Sequence, residues 1–219
     1  MEHLLMNNRY ISSLIALIIE KAPTVVSFIR IQSKKAQCAD FFAPLLIRCY
    51  LAPIFWMAGT KKFAHFTETA EWFGSVDNGL GLPMPYVLVF FVALFETLGS
   101  LFLLFGFGTR IIALPLMTIM AVAGYTAHWQ NGWLAIATGN GIFATERTTG
   151  AIERLEQAKG ILQAQTDYSW LTENGSLAIL NNGIEFAATY FIMLLALFFF
   201  GGGRYVSADY WLVRRYFNN

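Results

Sequence analysis

The sequence predicts an all-α membrane protein, a four-helix bundle with an N-terminal interfacial amphipathic helix and a long outer loop between spans 3 and 4. Three observations point there. The chain has 219 residues, of which 56% are hydrophobic and 16% aromatic. Only 13% are charged, against roughly 25% in ordinary soluble domains. Four segments approach the roughly 20 apolar residues that a bilayer requires. A water-soluble domain of this size could not keep so much apolar surface out of water. The formal charge of +1, with no basic tract interleaved with aromatics, excludes a nucleic-acid footprint. The expected partner is the lipid bilayer.

Residues 1–40 form an arm. Its apolar run 11–19 is too short to span, and Pro23 would break a longer helix. No small-residue cleavage site follows, so a secretory signal is not expected. Ile11, Leu14, Ile15 and Ile18 keep helical spacing, with Arg30, Lys34 and Lys35 nearby. That pattern fits a helix lying on the inner leaflet, with a partner-docking helix as the alternative.

Residues 41–219 hold the four spans. The first covers about 41–59, interrupted by Arg48. The second covers about 85–108, interrupted by Glu96. The third covers about 111–128 and ends at His128, and the fourth covers about 184–203 and opens with Glu185. Only Gly108, Thr109 and Arg110 separate the second and third, which must form an antiparallel hairpin. Lys and Arg concentrate in the arm, the tight turn (Arg110) and the tail (Arg204, Arg214, Arg215). By the positive-inside rule both termini are then cytoplasmic, in an inner (plasma) membrane, and the longer loops face outward. The outer insertion, about 138–183, carries a rough apolar stripe (Ile152, Leu155, Ile161, Leu162) on a short amphipathic helix that Thr148 or Thr149 could cap. GNG (139–141) and NNG (181–183) bracket it as turns.

An unpaired charge in hydrocarbon costs about 2.5–3.5 kcal/mol or more, so such residues are paired, wetted or functional. At about 1.5 Å per residue, Arg48 lies roughly 10 Å and Glu96 roughly 16 Å from the inner ends of their helices. That is close enough to predict an Arg48–Glu96 pair facing the bundle interior, either structural glue or a relay. Lys61, Lys62, His65, His128 and Glu185 gather near the opposite leaflet boundary. A histidine beside a carboxylate there can exchange protons near neutral pH, whereas lysines at a helix end commonly snorkel to the interface. Arg48, Glu96, His128 and Glu185 are therefore the candidate catalytic residues, around a polar cavity for a quinone-like or other small ligand. Phe55, Trp56, Phe91 and Phe95 would suit a flat ring or serve as packing.

Other chemistries find less support. Cys38 and Cys49 form no CxxC and no metal-ligand spacing. Met117 and Met120 sit at helical spacing, which suits either soft-metal ligation or core filling. No phosphate loop, GxGxxG or nucleophile elbow is present, which argues against a hydrolase or nucleotide-driven pump. No metal site is assigned, and a cofactor cannot be named beyond the quinone.

Several pieces recur in a fixed order across residues 44–210: the Arg48 span ending in GTKK (59–62), ETLGSLFLLFGFGTR (96–110), the third span ending in His128, Glu185 opening the fourth, and the tail GGGRYVSADYW (201–211). In these the chain resembles the DoxX family of small four-span membrane proteins. The resemblance implies a four-helix bundle and a link to quinone-coupled sulfur oxidation or membrane oxidoreductase complexes. The long arm and the outer insertion resemble DoxX-like proteins that accompany maturation systems for copper-binding, ribosomally made peptides. An accessory or subunit of a redox or metal-stress (copper homeostasis) system follows, with redox or peptide-maturation proteins as partners. Any enzymatic role would be that of a quinone-linked oxidoreductase subunit. The alternative is a non-enzymatic transporter or export helper for a small ligand or metal, or a membrane scaffold.

Overall fold

The computed structural model describes residues 39–216, and all of its regular elements there are helices. The arm helix expected over 11–29 lies outside the described residues. In order the helices are α1 (Phe42–Ala64), α2 (Phe66–Gly74), α3 (Pro85–Phe105), α4 (Thr109–Ala123), α5 (Glu146–Gln165), α6 (Tyr168–Leu171), α7 (Glu185–Phe200) and α8 (Ala208–Tyr216). Three are long and apolar enough to cross a membrane: α1, α3, and α4 continued to Asn131 through a π turn at Gly124–His128 and a 3-10 turn. The fourth apolar helix, α7, is shorter at 16 residues. The chain is an integral membrane protein.

Each long helix begins or ends for a local reason. Pro85 opens α3 at a position where a missing N–H costs nothing. The same helix closes in a Schellman turn. Gly106 takes the left-handed conformation (φ 65°), its N–H donates to the Leu103 carbonyl, and the Phe107 N–H donates to the Phe102 carbonyl. Gly108 is also left-handed (φ 56°) and turns the chain straight into α4. α5 starts at Glu146, two residues before the expected Thr148, because Thr145 is its cap: Thr145 Oγ1 accepts from the Thr148 N–H, and Thr148 Oγ1 accepts from the Thr145 N–H.

α1 packs along α3 and α4 along α7, with further contact between α3 and α4 and between α1 and α7. Their shared core holds Leu51, Phe55, Leu103, Leu116, Leu194 and Leu197. A second cluster, Ala70, Phe73 and Val89, fastens α2 against α3. Met57, Ile111 and Ile192 remain exposed on the outside of the helices, as suits apolar side chains whose solvent is lipid.

The two ends of the assembly differ. At one, the start of α1, the α3–α4 turn, the end of α7 and the tail 201–210 meet. At the other, residues 132–137 run antiparallel to 179–185 through a single bridge, Ile136 with Leu180, and main-chain bonds such as Ala137 N–H to Ile179 O and Glu185 N–H to Trp133 O. Gly183 is required in that seam. A Cβ there would stand 2.5–2.6 Å from the carbonyl oxygens of Leu134, Gly132 and Trp133.

Candidate functional site

Arg48 and Glu96 are both buried, at 0% and 2% exposure, but they do not pair. Glu96 Oε2 accepts from Lys62 Nζ at 2.7 Å. The reason is helix register. Gly59 of α1 lies against Ala93 and Thr97 of α3, where a Cβ would come within 2.7 Å of the Thr97 nitrogen. Glu96 therefore faces the Gly59–Lys62 level of α1. Arg48 is eleven residues away from Gly59, about 16 Å along the axis at 1.5 Å per residue. Lys62 was expected as an interface anchor or part of an outer cluster. Side chains on a helix tilt toward its N-terminus, and that direction carries the Lys62 ammonium inward to Glu96 instead of outward to headgroups. Its side chain keeps 24% exposure against 3% for that of Glu96, so the carboxylate is the buried member of the pair. Beside it, Thr97 Oγ1 is buried with no hydrogen-bond partner among the described residues, and Ser100 Oγ donates to the Thr97 carbonyl.

Arg48 instead joins the tail to the α3–α4 turn. Its Nη1 donates to the Leu103 carbonyl at 3.2 Å and its Nη2 to the Val206 carbonyl at 2.9 Å. A side chain at Gly106 would collide with this guanidinium. Asp209 completes the junction from the tail. Its two carboxylate oxygens accept from the Gly108 and Thr109 N–H groups at 2.6 and 2.9 Å, at the N-terminus of α4, where a negative charge is favoured. The Asp209 N–H donates to the Gly106 carbonyl, and Ser207 Oγ donates to the Gly203 carbonyl. The tail motif quoted above is thus a set of caps on the hairpin turn. Arg48 belongs to that construction and not to a relay with Glu96.

His128 and Glu185 come to the same end of the molecule, as expected, but bind the loop seam and not each other. His128 Nδ1–H donates to the Asn182 carbonyl at 3.0 Å, and Glu185 Oε2 accepts from the Ala135 N–H at 2.8 Å. Lys61 is exposed, and His65 turns to Glu68 on the surface at 3.1 Å. The residue that sequence reasoning missed is Asn181, expected only as a turn. At 3% exposure, its Nδ2 donates to the Asn131 and Leu134 carbonyls at 2.7 Å each, and its Oδ1 accepts from Arg147 Nε at 3.1 Å. A signal was present: an Asn-Asn-Gly turn supplies one more amide than a turn needs.

The four expected site residues therefore fall in three separate places, and they do not line one polar cavity. Nor do the four aromatics. Phe55 is in the core against Tyr190, Trp56 is on the outside, and Phe91 and Phe95 stack on each other along α3 with rings 6.3 Å apart. Met117 and Met120 belong to the core or pack on it, and no group of three His, Cys, Asp or Glu side chains gathers for a metal among the described residues. Among the described residues, Glu96 is the one buried charge that pairs with an oppositely charged side chain, that of Lys62.

Residues 43–129 match the family model described as DoxX, a stretch that takes in α1 to α4 and the turns that follow. No curated protein and no solved structure matches the chain.

Proposed function

We propose that this integral membrane protein, whose residues 43–129 match the DoxX family model, serves as a subunit or accessory of a redox or metal-stress system in the inner membrane, with the Lys62–Glu96 pair as its working group. The single observation that carries the reading is that pair. A carboxylate at 2% exposure is held at 2.7 Å by a lysine whose side chain keeps 24% exposure, which would let a proton pass between the apolar layer and the outside. Phe91 and Phe95 on the same helix form a stacked aromatic pair, of which Phe91 faces lipid. A quinone-like ring arriving from the bilayer would meet that pair first, and Glu96, about 100° around the helix from Phe95 and turned toward α1, would exchange the accompanying proton only with a ring that reaches past the pair.

In this reading α7 is the fourth span. The end bearing Arg110, Arg204, Arg214 and Arg215 is cytoplasmic, which follows the distribution of basic residues. The arm and the α5 insertion are the surfaces for partner proteins, of a copper-binding-peptide maturation system if the narrower resemblance holds. The test uses the full chain in nanodiscs, with quinone, flavin, haem and copper measured on the purified protein. Bound quinone that is lost in both Glu96→Gln and Lys62→Met, with the helical content unchanged, is the expected result. A protein that carries no such ligand, or one whose ligand is indifferent to both substitutions, overturns the proposal.

A further inference from the structure

The arginine-bearing end of the molecule holds an open cleft of about 1240 Å³ between the start of α4, the end of α7 and α8. Its lining has two characters. Arg110, Arg204 and Arg214 supply three guanidinium groups, while Ile111, Phe200 and Val213 supply an apolar wall. The cleft's two acids are already engaged. Asp209 spends both oxygens on the Gly108 and Thr109 N–H groups, and Asp40 bridges to Arg204 at 2.8 Å. Arg110 gives one N–H to the Phe199 carbonyl. Arg214 lies over the Trp211 ring at 5.6 Å and makes no hydrogen bond among the described residues. A guanidinium has five N–H donors in a planar fork suited to phosphate oxygens, so Arg110 and Arg214 bring donors unspent among the described residues to a lining whose three arginines outnumber its two aspartates.

Position decides what an occupant must look like. Arg110 is the second residue of α4 and Phe200 the last of α7, so the cleft lies where apolar helices emerge from the acyl layer into the headgroup layer. An occupant must be anionic at one end and apolar at the other. We propose that this cleft binds an anionic phospholipid, its phosphate against Arg110 and Arg214 and its acyl chain along Ile111, Phe200 and Val213.

Native mass spectrometry of the full chain released from nanodiscs of equal parts phosphatidylglycerol and phosphatidylcholine tests this. Retention of phosphatidylglycerol over phosphatidylcholine is expected, and Arg214→Gln, which removes no hydrogen bond among the described residues, should weaken it about fivefold, the effect of one basic residue at an anionic surface. Arg215→Gln, on the same helix but outside the cleft lining, should leave retention unchanged. Inorganic phosphate at millimolar concentration should not displace the lipid. Equal retention of the two lipids, an equal loss in Arg215→Gln, or displacement by inorganic phosphate alone would each overturn the proposal, the second by showing general surface charge and the third by showing a site for the free anion.

Discussion

Removing either partner of the Lys62–Glu96 pair deletes the same 2.7 Å bond, yet the two deletions should differ in cost. Lys62→Met leaves a carboxylate at 2% exposure with no cation beside it. Breaking a buried pair this way costs about 3–5 kcal/mol. The lysine end keeps 24% exposure, and solvent screening there brings the expectation to the lower limit, about 3 kcal/mol. Glu96→Leu leaves a lysine whose amine can turn back to water, at about 1 kcal/mol. The double variant Lys62→Met/Glu96→Leu replaces a salt bridge with apolar contact and should lie within about 1 kcal/mol of the parent. The coupling energy of the cycle is then about 4 kcal/mol in magnitude, and no less than about 3. Reversible unfolding in mixed micelles, followed by the native tryptophan fluorescence, measures all four proteins. Equal costs for the two single variants, or a double variant equal to their sum, would refute the account of a buried carboxylate held by a more exposed lysine.

Three further substitutions probe the two ends of the molecule. Arg48→Leu frees the Leu103 and Val206 carbonyls and should release the tail, seen as faster protease cleavage near Arg204 while the α1–α3 seam stays protected. Gly183→Ala forces a methyl against three carbonyl oxygens and should disrupt the 132–137/179–185 seam, with loss of amide protection at Ala137 and Glu185 in hydrogen exchange. Asn181→Ala removes three hydrogen bonds at a buried position and should destabilise by about 1–3 kcal/mol, readable in the same micelle titration.

The helices were legible in the sequence because a bilayer demands long apolar runs, and the Gly108–Arg110 turn left one way to join α3 to α4. The register between α1 and α3 is not fixed by the length of apolar runs, and the pairing depends on it. Counting residues from the expected helix ends places Arg48 near Glu96, whereas contact is set at Gly59, where the missing Cβ lets the α3 backbone approach. Reading Gly59 as a crossing point would have placed Lys62, three residues on, opposite Glu96. The partners of Arg48 were harder still. They are main-chain carbonyls, which every residue has, so no residue type announces them. His128 and Glu185 were correctly brought to one end, but both are satisfied by loop backbone whose path depends on Asn181 and Gly183.

The Arg48 junction also sets an order of assembly. The guanidinium enters the bilayer with α1, and its first acceptor, on Leu103, lies 55 residues further along the chain. Its second, on Val206, lies 158 residues away. For most of synthesis the early helices must carry a strong donor without its full set of acceptors, held by water, lipid phosphate or the insertion machinery. Arrival of the tail supplies the second acceptor and ties α1 to the hairpin turn, so this junction can close only after residue 206 has been made.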